Sequence, residues 1–246
     1  MKAIIFLIYG VISYLFFFAV FLYAIAFVGD LPVPRTIDAG GTEGALIPSL
    51  IIDALLLGLF AVQHSVMARP AFKAWWTKIV APPIERSTYV LVASAVLAVV
   101  CWFWRPLPSP IWTVNNHPAA MVLTVLFWLG WLMVLGSTFL LSHFELFGLK
   151  QVWNRLSNKA ADAPVFRTPL LYQTVRHPLY LGFVIAFWAT PTMTLGHLVF
   201  ALATTGYIVI AIQLEERDLI GIFGDRYRQY KRQAGMLWPK FGAGKG

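Results

Sequence analysis

The residues of this chain that are best suited to chemistry stand at the ends of long apolar runs. His64 and His143 each close such a run, while Arg86 and Tyr89 open another. Histidine is a natural general base because its ordinary pKa lies near neutral pH. Ionisable groups at the edge of an apolar run are costly unless they pair or face a cavity, so these four residues indicate a catalytic site. A purely structural role at a helix end is the alternative for each of them.

A second candidate site begins at Arg176, where Arg176-His177-Pro178 opens a short apolar run. Proline is favoured at the first position of a helix, so the residues before it lie against the free N–H groups and the positive end of that helix. Such an end binds anions, and the fork of an arginine suits a carboxylate. Gly182, one turn into the run, leaves space for a planar group to approach.

Two carboxylates complete this second site. Glu215 and Glu216 follow the last apolar run, and Glu215 is 39 residues beyond Arg176. Carboxylates accept hydrogen bonds from hydroxyl groups or from an ammonium group. A ligand with a carboxylate, an ammonium, a ribose and an adenine would satisfy all these residues, and S-adenosylmethionine is such a ligand. Nucleotides and anionic headgroups fit the same residues and remain alternatives at this point.

Metal and disulfide chemistry are not predicted. The sequence contains no pair of histidines four residues apart and no CxxC motif, so we expect no metal site. Cys101 is the only cysteine, which rules out an intrachain disulfide. A GxGxxG motif is also absent, so a soluble Rossmann site for the cofactor is not expected.

The composition places the chain in a membrane. Of 246 residues, 59% are hydrophobic and 12% are charged, and the mean hydropathy is +0.71. A soluble domain averages about half apolar and about a quarter charged residues. The balance excludes a disordered chain, a secreted disulfide scaffold and a nucleic-acid-binding protein, in spite of a net charge of +8.

Five apolar runs are long enough to cross a bilayer. A shorter run at Leu179–Ala189 is followed by Pro191, and this proline predicts a hairpin that turns between residues 189 and 192. We therefore expect an all-α, polytopic transmembrane helical bundle with five full spans and a short hairpin arm. The predicted spans are Ala3–Val28, Ala45–Met67, Ser87–Trp104, Pro118–Ser142 and Thr194–Leu214.

Positive charge is distributed unevenly between the connecting segments. All of the 19 Lys and Arg residues except Arg35 and Arg105 fall in the N-terminus, alternate loops and the tail that ends at Lys245. The positive-inside rule then predicts that both termini are cytoplasmic. In the tail, apolar and aromatic residues from Leu219 to Tyr230 alternate with basic ones, which predicts a cytoplasmic amphipathic helix lying on the anionic leaflet.

Several motifs resemble one enzyme family. RHPLYLG, followed by EERDLIGIFGDRYRQYKRQAGMLWP, resembles the isoprenylcysteine carboxyl methyltransferase superfamily of membrane methyltransferases. Upstream, QHSVMARP, ERSTYVL and SHFELFGLKQ are similar to a narrower group, the bacterial methanethiol S-methyltransferases and the NnrU-like proteins. The resemblance spans nearly the whole chain. It implies methyl transfer from S-adenosylmethionine to methanethiol, which gives dimethyl sulfide, at the bacterial inner membrane.

The resemblance also implies roles for individual residues. The chain would form one integral-membrane methyltransferase domain over residues 1–246, with the cofactor-binding hairpin and C-terminal region at residues 176–240. One departure is the run Arg232-Gln233-Ala234-Gly235, which replaces the R-V/T-P-R run of the prenylcysteine enzymes and argues against a protein substrate. The residues implied to hold the cofactor are Gln173, Arg176, His177, Tyr180, Gly182, Glu215 and Glu216.

Transfer to a thiol requires the thiolate. A small alkyl thiol has a pKa of about 10, above the value of about 8.5 for free cysteine, so little of it is ionised at pH 7. We expect His64 to act as the base or to orient the thiol, with Arg86, Tyr89 and His143 fixing it or stabilising the thiolate. The partners expected are a small thiol and membrane lipids, with no nucleic acid and no obligatory protein partner.

Three other functions fit the same motifs. One is methylation of a lipid or a prenylated substrate, and another is an NADPH-dependent membrane reductase, because sterol reductases carry a similar RHPxY motif. A third is a non-catalytic NnrU-like membrane protein that keeps the fold without turnover.

Overall fold

Five long apolar helices form most of the protein. The computed structural model describes residues 1–42, 44–160 and 165–240, so Lys245 lies outside the described residues. The shortest of the five has 22 residues, which is about 33 Å at 1.5 Å per residue and exceeds the roughly 30 Å apolar core of a bilayer. By length and composition all five can cross a membrane, which confirms the predicted helical membrane fold. They are α1 Lys2–Val28, α2 Leu46–Ala68, α4 Pro82–Phe103, α5 His117–Leu141 and α9 Leu195–Phe223.

Shorter elements connect the long helices. The short helices are α3 Pro70–Trp76, α6 His143–Leu146, α7 Leu149–Leu156, α8 Pro178–Trp188 and α10 Asp225–Gln233, together with a 3₁₀ turn at Leu170–Gln173. The strands β1 Pro110–Thr113 and β2 Thr192–Thr194 pair in a minimal two-stranded sheet, which the all-α prediction did not include.

Two spans differ from their predicted bounds in a way that affects the candidate sites. Helix α4 begins at Pro82 rather than Ser87, because a proline at the first position starts the helix. Helix α9 continues to Phe223 rather than ending at Leu214. An apolar run marks only the part of a helix that lipid surrounds, and the helix continues where the chain becomes polar. Arg86, Glu215 and Glu216 therefore all lie on helices.

The predicted hairpin is present. Helix α8 has 11 residues, about 16 Å, and the chain turns before α9 begins at Leu195. The two arms lie side by side, since the Trp188 Nε1–H donates to Thr205 Oγ1 at 2.9 Å. The rings of Phe187 and Phe200 also meet edge to face, with 5.0 Å between their centroids.

The C-terminal amphipathic segment is broken at Gly224. This residue has a φ of 55°, a conformation that glycine adopts readily, and α10 starts directly after it. Tyr227, Tyr230 and Ala234 are buried in a cluster that Phe166 also contacts. The apolar face of α10 therefore packs against the chain itself, whereas the sequence predicted that this face would lie on the lipid surface.

The chain divides into two compact units. The first contains Met1–Ile111, Ser142–Ala163 and Thr194–His197, and the second contains Trp112–Leu141, Pro164–Met193 and Leu198–Gly246.

In the first unit, α1 and α4 run parallel. The Tyr9 hydroxyl donates to Thr88 Oγ1 at 3.0 Å near the start of both helices. Near their ends, the rings of Phe27 and Trp104 pack edge to face. Helix α2 runs in the opposite direction, because Asp53 near its start accepts the Arg105 N–H at 2.9 Å. The first unit thus has a His64 end, where α1 and α4 begin and α2 finishes, and an opposite Asp53 end.

In the second unit, α5 and α8 run antiparallel and touch through two glycines. A Cβ atom at Gly182 would lie 2.7 Å from the carbonyl oxygen of Gly130, and one at Gly130 would lie 2.7 Å from the Ala186 nitrogen. Only glycine permits this approach of two backbones. The space that the sequence assigned to a planar ligand beside Gly182 is therefore filled by α5.

We predict that Gly130→Ala lowers the thermal stability of the protein. The new methyl group meets main-chain atoms on α8 that cannot turn aside, and overpacking of this kind costs about 1–3 kcal/mol. The matched control is Gly136→Ala on the same helix, where nothing lies within 4 Å of an added Cβ atom. Thermal unfolding in detergent, followed by tryptophan fluorescence, should show a lower midpoint for Gly130→Ala alone. Equal midpoints for the two variants would contradict the close packing of α5 and α8.

Candidate active site

Most of the predicted site residues lie in two clusters, one in each unit, and each cluster also contains one residue that was not predicted, Tyr14 in the first and Lys231 in the second. The first unit holds the histidine cluster, formed by Tyr14, His64, Arg86, Tyr89 and His143. The second unit holds the arginine cluster, formed by Arg176, His177, Glu215, Glu216 and Lys231.

His64 is in the last turns of α2 and faces α4. Its Nε2 shares a hydrogen bond of 2.9 Å with the hydroxyl of Tyr89, and its Nδ1 is 3.2 Å from the same hydroxyl. The ring of Phe60, one turn earlier on α2, stacks on the imidazole with 5.3 Å between centroids. The predicted partnership of His64 and Tyr89 thus exists in the structure, next to an aromatic wall.

Arg86 belongs to the same cluster. It lies one turn before Tyr89 on α4, and its guanidinium carbon is 5.5 Å from the centroid of the tyrosine ring. A cation over an aromatic face is attracted by the ring. Helix α4 therefore presents a fixed positive charge and a hydroxyl group on the side that faces His64.

His143 is buried and bonded to a residue that the sequence did not single out. Its Nε2 shares a hydrogen bond of 2.8 Å with the hydroxyl of Tyr14 on α1. Burial lowers the pKa of His143, which favours the neutral form of the imidazole. The sequence signal for Tyr14 was available, since it is a hydroxyl group in the middle of the first apolar run.

An aromatic core joins these residues. Phe147 lies 4.8 Å from His143, centroid to centroid, and stacks on Phe17 at 4.1 Å. Phe17 and Phe147 in turn pack against the buried cluster that contains Tyr89. The four residues that the sequence assigned to catalysis are therefore held around one apolar core at the His64 end of the first unit.

The arginine cluster is built around Glu216. This buried carboxylate accepts from Arg176 Nε at 2.7 Å and forms an ion pair with Lys231 Nζ at 2.5 Å. The Nε2–H of His177 also donates to it, at 3.2 Å. Three donors from two other segments thus converge on one side chain near the end of α9.

Arg176 also donates hydrogen bonds to main-chain carbonyl oxygens at the end of α10. Its Nη1 donates to the carbonyl oxygens of Ala234 at 2.5 Å and Lys231 at 3.2 Å. Its main-chain N–H donates to Gly235 at 2.8 Å. The sequence assigned this guanidinium to a ligand carboxylate, and the structure shows that it ties the start of α8 to α9 and to the end of α10.

Glu215 is the more accessible of the two carboxylates. Its side chain is 42% exposed, and its Oε2 is 3.9 Å from Nδ1 of the buried His177. A cavity of about 290 Å³ beside Glu216 is lined by Gln213, Glu216, Arg217, Ile220 and Lys231, and Glu215 is not part of its lining.

The other predicted cofactor residues lie around the start of α8. The ring of Tyr180 is 5.7 Å from that of His177. Gln173 ends the 3₁₀ turn before α8 and is exposed. Gly182 faces α5, as described above. In the sequence, Lys231 is one of many basic residues in the tail, and nothing there distinguishes it, because its pairing with Glu216 depends on how α10 folds back.

No metal centre is built by the described residues, among which no three His, Cys, Asp or Glu side chains are grouped to hold an ion. The chemistry of both clusters is that of acids, bases and hydrogen bonds.

Similar proteins share most of this chain. It is 58% identical to methanethiol S-methyltransferase 1 of Bradyrhizobium diazoefficiens over 94% of this chain and 81% of the relative. It is 53% identical to methanethiol S-methyltransferase of Mycobacterium tuberculosis over 97% of this chain and 98% of the relative. The rat protein Nurim is 31% identical over 72% of this chain and 70% of its own. No solved structure matches the chain.

The NnrU protein family matches residues 53–235, a stretch that contains both His64 and the arginine cluster. This family match agrees with the sequence identities of 58% and 53% to the two methanethiol S-methyltransferases, which extend over 94% and 97% of this chain. The chain belongs to the NnrU family and, within it, to the group of the bacterial methanethiol S-methyltransferases.

Proposed function

We propose that this protein transfers a methyl group from S-adenosylmethionine to methanethiol and releases dimethyl sulfide, with residues 1–246 acting as one catalytic domain. The observation that carries the proposal is the identity of 53% to an enzyme with this thiol substrate in its name, over 97% of the chain. The matched length includes the histidine cluster and the arginine cluster. Each cluster supplies groups that one half of the reaction needs.

The arginine cluster fits the methyl donor. S-adenosylmethionine carries an ammonium, a carboxylate and ribose hydroxyls, and supplies an electrophilic methyl group on a sulfonium. The partly exposed Glu215 carboxylate suits the ammonium or the hydroxyls, and the N–H groups at the start of α8 suit the carboxylate. Arg176 and Glu216 act as positioning residues, because their side chains hold α8, α9 and α10 together.

The histidine cluster fits the thiol. The proton of methanethiol must leave before its sulfur can react, and His64 takes that proton on a ring nitrogen. Tyr89 holds the imidazole through the 2.9 Å hydrogen bond. The guanidinium of Arg86 lies beside Tyr89 and stabilises the negative charge of the thiolate. Phe60, stacked on His64, gives this place an apolar wall suited to a small alkyl group.

The distribution of charge supports a cytoplasmic position for the His64 end. In the first unit, Arg35 and Arg105 lie at the opposite end, where Arg35 Nη1 donates to the Trp102 carbonyl and the Arg105 N–H donates to Asp53. The basic residues of α3 and α7 lie at the His64 end. The positive-inside rule then orients the chain in the bacterial inner membrane with both termini in the cytoplasm, where S-adenosylmethionine is made.

The direct test is turnover by the purified protein. The protein in detergent, supplied with S-adenosylmethionine and a panel of volatile thiols, should release dimethyl sulfide from methanethiol into the headspace gas. A methyl-labelled donor should transfer its label to the product. Transfer of the label to a lipid or prenylated acceptor instead, or the absence of any transfer, would reject the proposal in favour of the other functions that the motifs allow.

We predict that Glu215→Gln weakens donor binding about tenfold without changing the fold. The substitution removes the negative charge that would bind the ammonium, while the side chain is exposed enough for its loss to leave the packing intact. Calorimetric titration with S-adenosylhomocysteine and S-adenosylmethionine measures the effect. Asp225→Asn is the matched control, since that carboxylate is 94% exposed and pairs only with nearby Arg228 among the described residues. Unchanged affinity in Glu215→Gln would exclude the assignment of this residue.

We predict that His64→Ala lowers kcat by about 10²–10³-fold and leaves donor affinity unchanged. Loss of a general base removes proton transfer but not donor binding. The rate should recover in part at high pH, where methanethiol ionises by itself. His117→Ala, at an exposed histidine in the second unit, is the control and should retain full activity. Full kcat in His64→Ala, with a normal unfolding midpoint, would remove His64 from the mechanism.

A further inference from the structure

A groove in the first unit is not used by the proposed chemistry. It has a volume of about 300 Å³ and lies between the start of α4 and the helix α7. Charged and amide side chains provide much of its lining, in contrast to the apolar surroundings of His64. The lining residues that matter here are Pro82, Glu145, Lys150, Gln151, Arg155 and Lys159.

The groove lies at the end of the α4 span, where this apolar helix begins at Pro82 and meets the polar residues of α7. Helix α7 is packed on α4, because the Ser87 hydroxyl donates to the Gly148 carbonyl at 3.4 Å, close to the point where α4 begins at Pro82. Val152 anchors α7 and is fully buried, while the next residue, Trp153, is 56% exposed. An amphipathic helix with an exposed tryptophan and basic residues is typical of the boundary between lipid tails and headgroups. The groove therefore opens at headgroup depth.

The charge of the groove is positive. Lys150 Nζ forms an ion pair with Glu145 at 2.8 Å, which neutralises both. Arg155 and Lys159 then remain as two exposed cations, and within the described part of the chain neither has a carboxylate within 4 Å. Two cations beside one groove suit the phosphate of a phosphodiester, and the arginine fork can bind two of its oxygens.

Gln151 adds a hydrogen-bond acceptor. Its Nε2 donates to the Glu145 carbonyl at 3.0 Å, which fixes the orientation of the amide. Its Oε1 is buried, and no donor among the described residues reaches it. A buried acceptor without a donor is costly, so a ligand that brings a hydroxyl group would gain by satisfying it. The groove thus offers cations for a phosphate and an amide oxygen for a hydroxyl group.

We propose that this groove is a binding site for an anionic phospholipid whose headgroup carries a hydroxyl, with phosphatidylglycerol as the probe. Arg155 and Lys159 bind the phosphodiester, and the Gln151 Oε1 accepts from the headgroup hydroxyl. The net positive charge of the groove favours an anionic lipid over a zwitterionic one. The site is separate from the proposed catalytic roles, so the inference does not depend on the methyl-transfer reaction.

The test is lipid binding to delipidated protein in detergent, measured by native mass spectrometry. Phosphatidylglycerol should bind at least tenfold more tightly than phosphatidylcholine, and the double variant Arg155→Gln/Lys159→Gln should lose this preference. Lys78→Gln is the control, because this exposed lysine lies at the same end of the unit but outside the groove. Its phosphatidylglycerol affinity should stay within about twofold of that of the unmodified protein.

A second comparison isolates the hydroxyl contact. Phosphatidylmethanol has the same charge as phosphatidylglycerol but no headgroup hydroxyl, so it should bind less tightly to the unmodified protein. Gln151→Leu should abolish the difference between these two lipids without weakening phosphatidylmethanol.

Any one of four results in these lipid-binding measurements would overturn the proposal. They are unchanged phosphatidylglycerol binding in the double variant, equal binding of phosphatidylcholine, tighter binding of phosphatidylethanolamine, and retention of the difference between the two anionic lipids in Gln151→Leu. Competition by soluble glycerol 3-phosphate at the affinity of the lipid would also overturn it, because the groove would then be a site for free phosphates.

Discussion

The second unit depends on one buried carboxylate. Glu216 is 6% exposed and binds Arg176 and His177, which directly precede α8, and Lys231 on α10. Removing one partner from such a buried charge costs about 3–5 kcal/mol, because the remaining charge has no water to replace it. This network brings the exposed Glu215 beside His177. Residues widely separated in sequence are thus placed together by a charge that must be neutralised.

The first unit uses a different device to position polar groups. His64 and His143 each share a hydrogen bond with a tyrosine hydroxyl from another helix, and stacked aromatic rings fill the space between the two pairs. A tyrosine can contribute to an apolar core and still present a polar tip. The unit therefore holds two histidine side chains in place through tyrosine hydroxyl groups that belong to its aromatic core. Such an arrangement suits a reaction whose substrate is a small apolar thiol.

The two devices match the two halves of the proposed reaction. A charged cofactor with several polar groups needs a site with fixed charges, and we propose the arginine cluster for this role. A volatile thiol needs a base and an apolar surface, and we propose His64 with the stacked ring of Phe60 for that role. In the second unit, α5 and α8 touch where Gly130 and Gly182 let their backbones approach.

Much of the architecture follows from the sequence alone. The length and polarity of the apolar runs determine the five long helices, and Pro191 determines the break before α9, because lipid admits only regular hydrogen-bonded spans. The motif that begins at Arg176 and the pair Glu215-Glu216 were identifiable because polar residues at the ends of apolar runs are rare. The partnership of His64 with Tyr89 was likewise within reach, since the ends of neighbouring spans face the same side.

Other features were decided only by the folded chain. Three contacts join segments that are far apart in sequence. They are the hydrogen bond from the Arg176 guanidinium to the Ala234 carbonyl, the ion pair of Lys231 with Glu216, and the hydrogen bond between Tyr14 and His143. The role of Gly182 was also decided by the folded chain. A glycine in the sequence indicates that something can approach the backbone closely, but not whether a ligand or another helix does so. The periodicity of a sequence determines which residues share a helix face, but the partner of that face depends on how the helices pack in three dimensions.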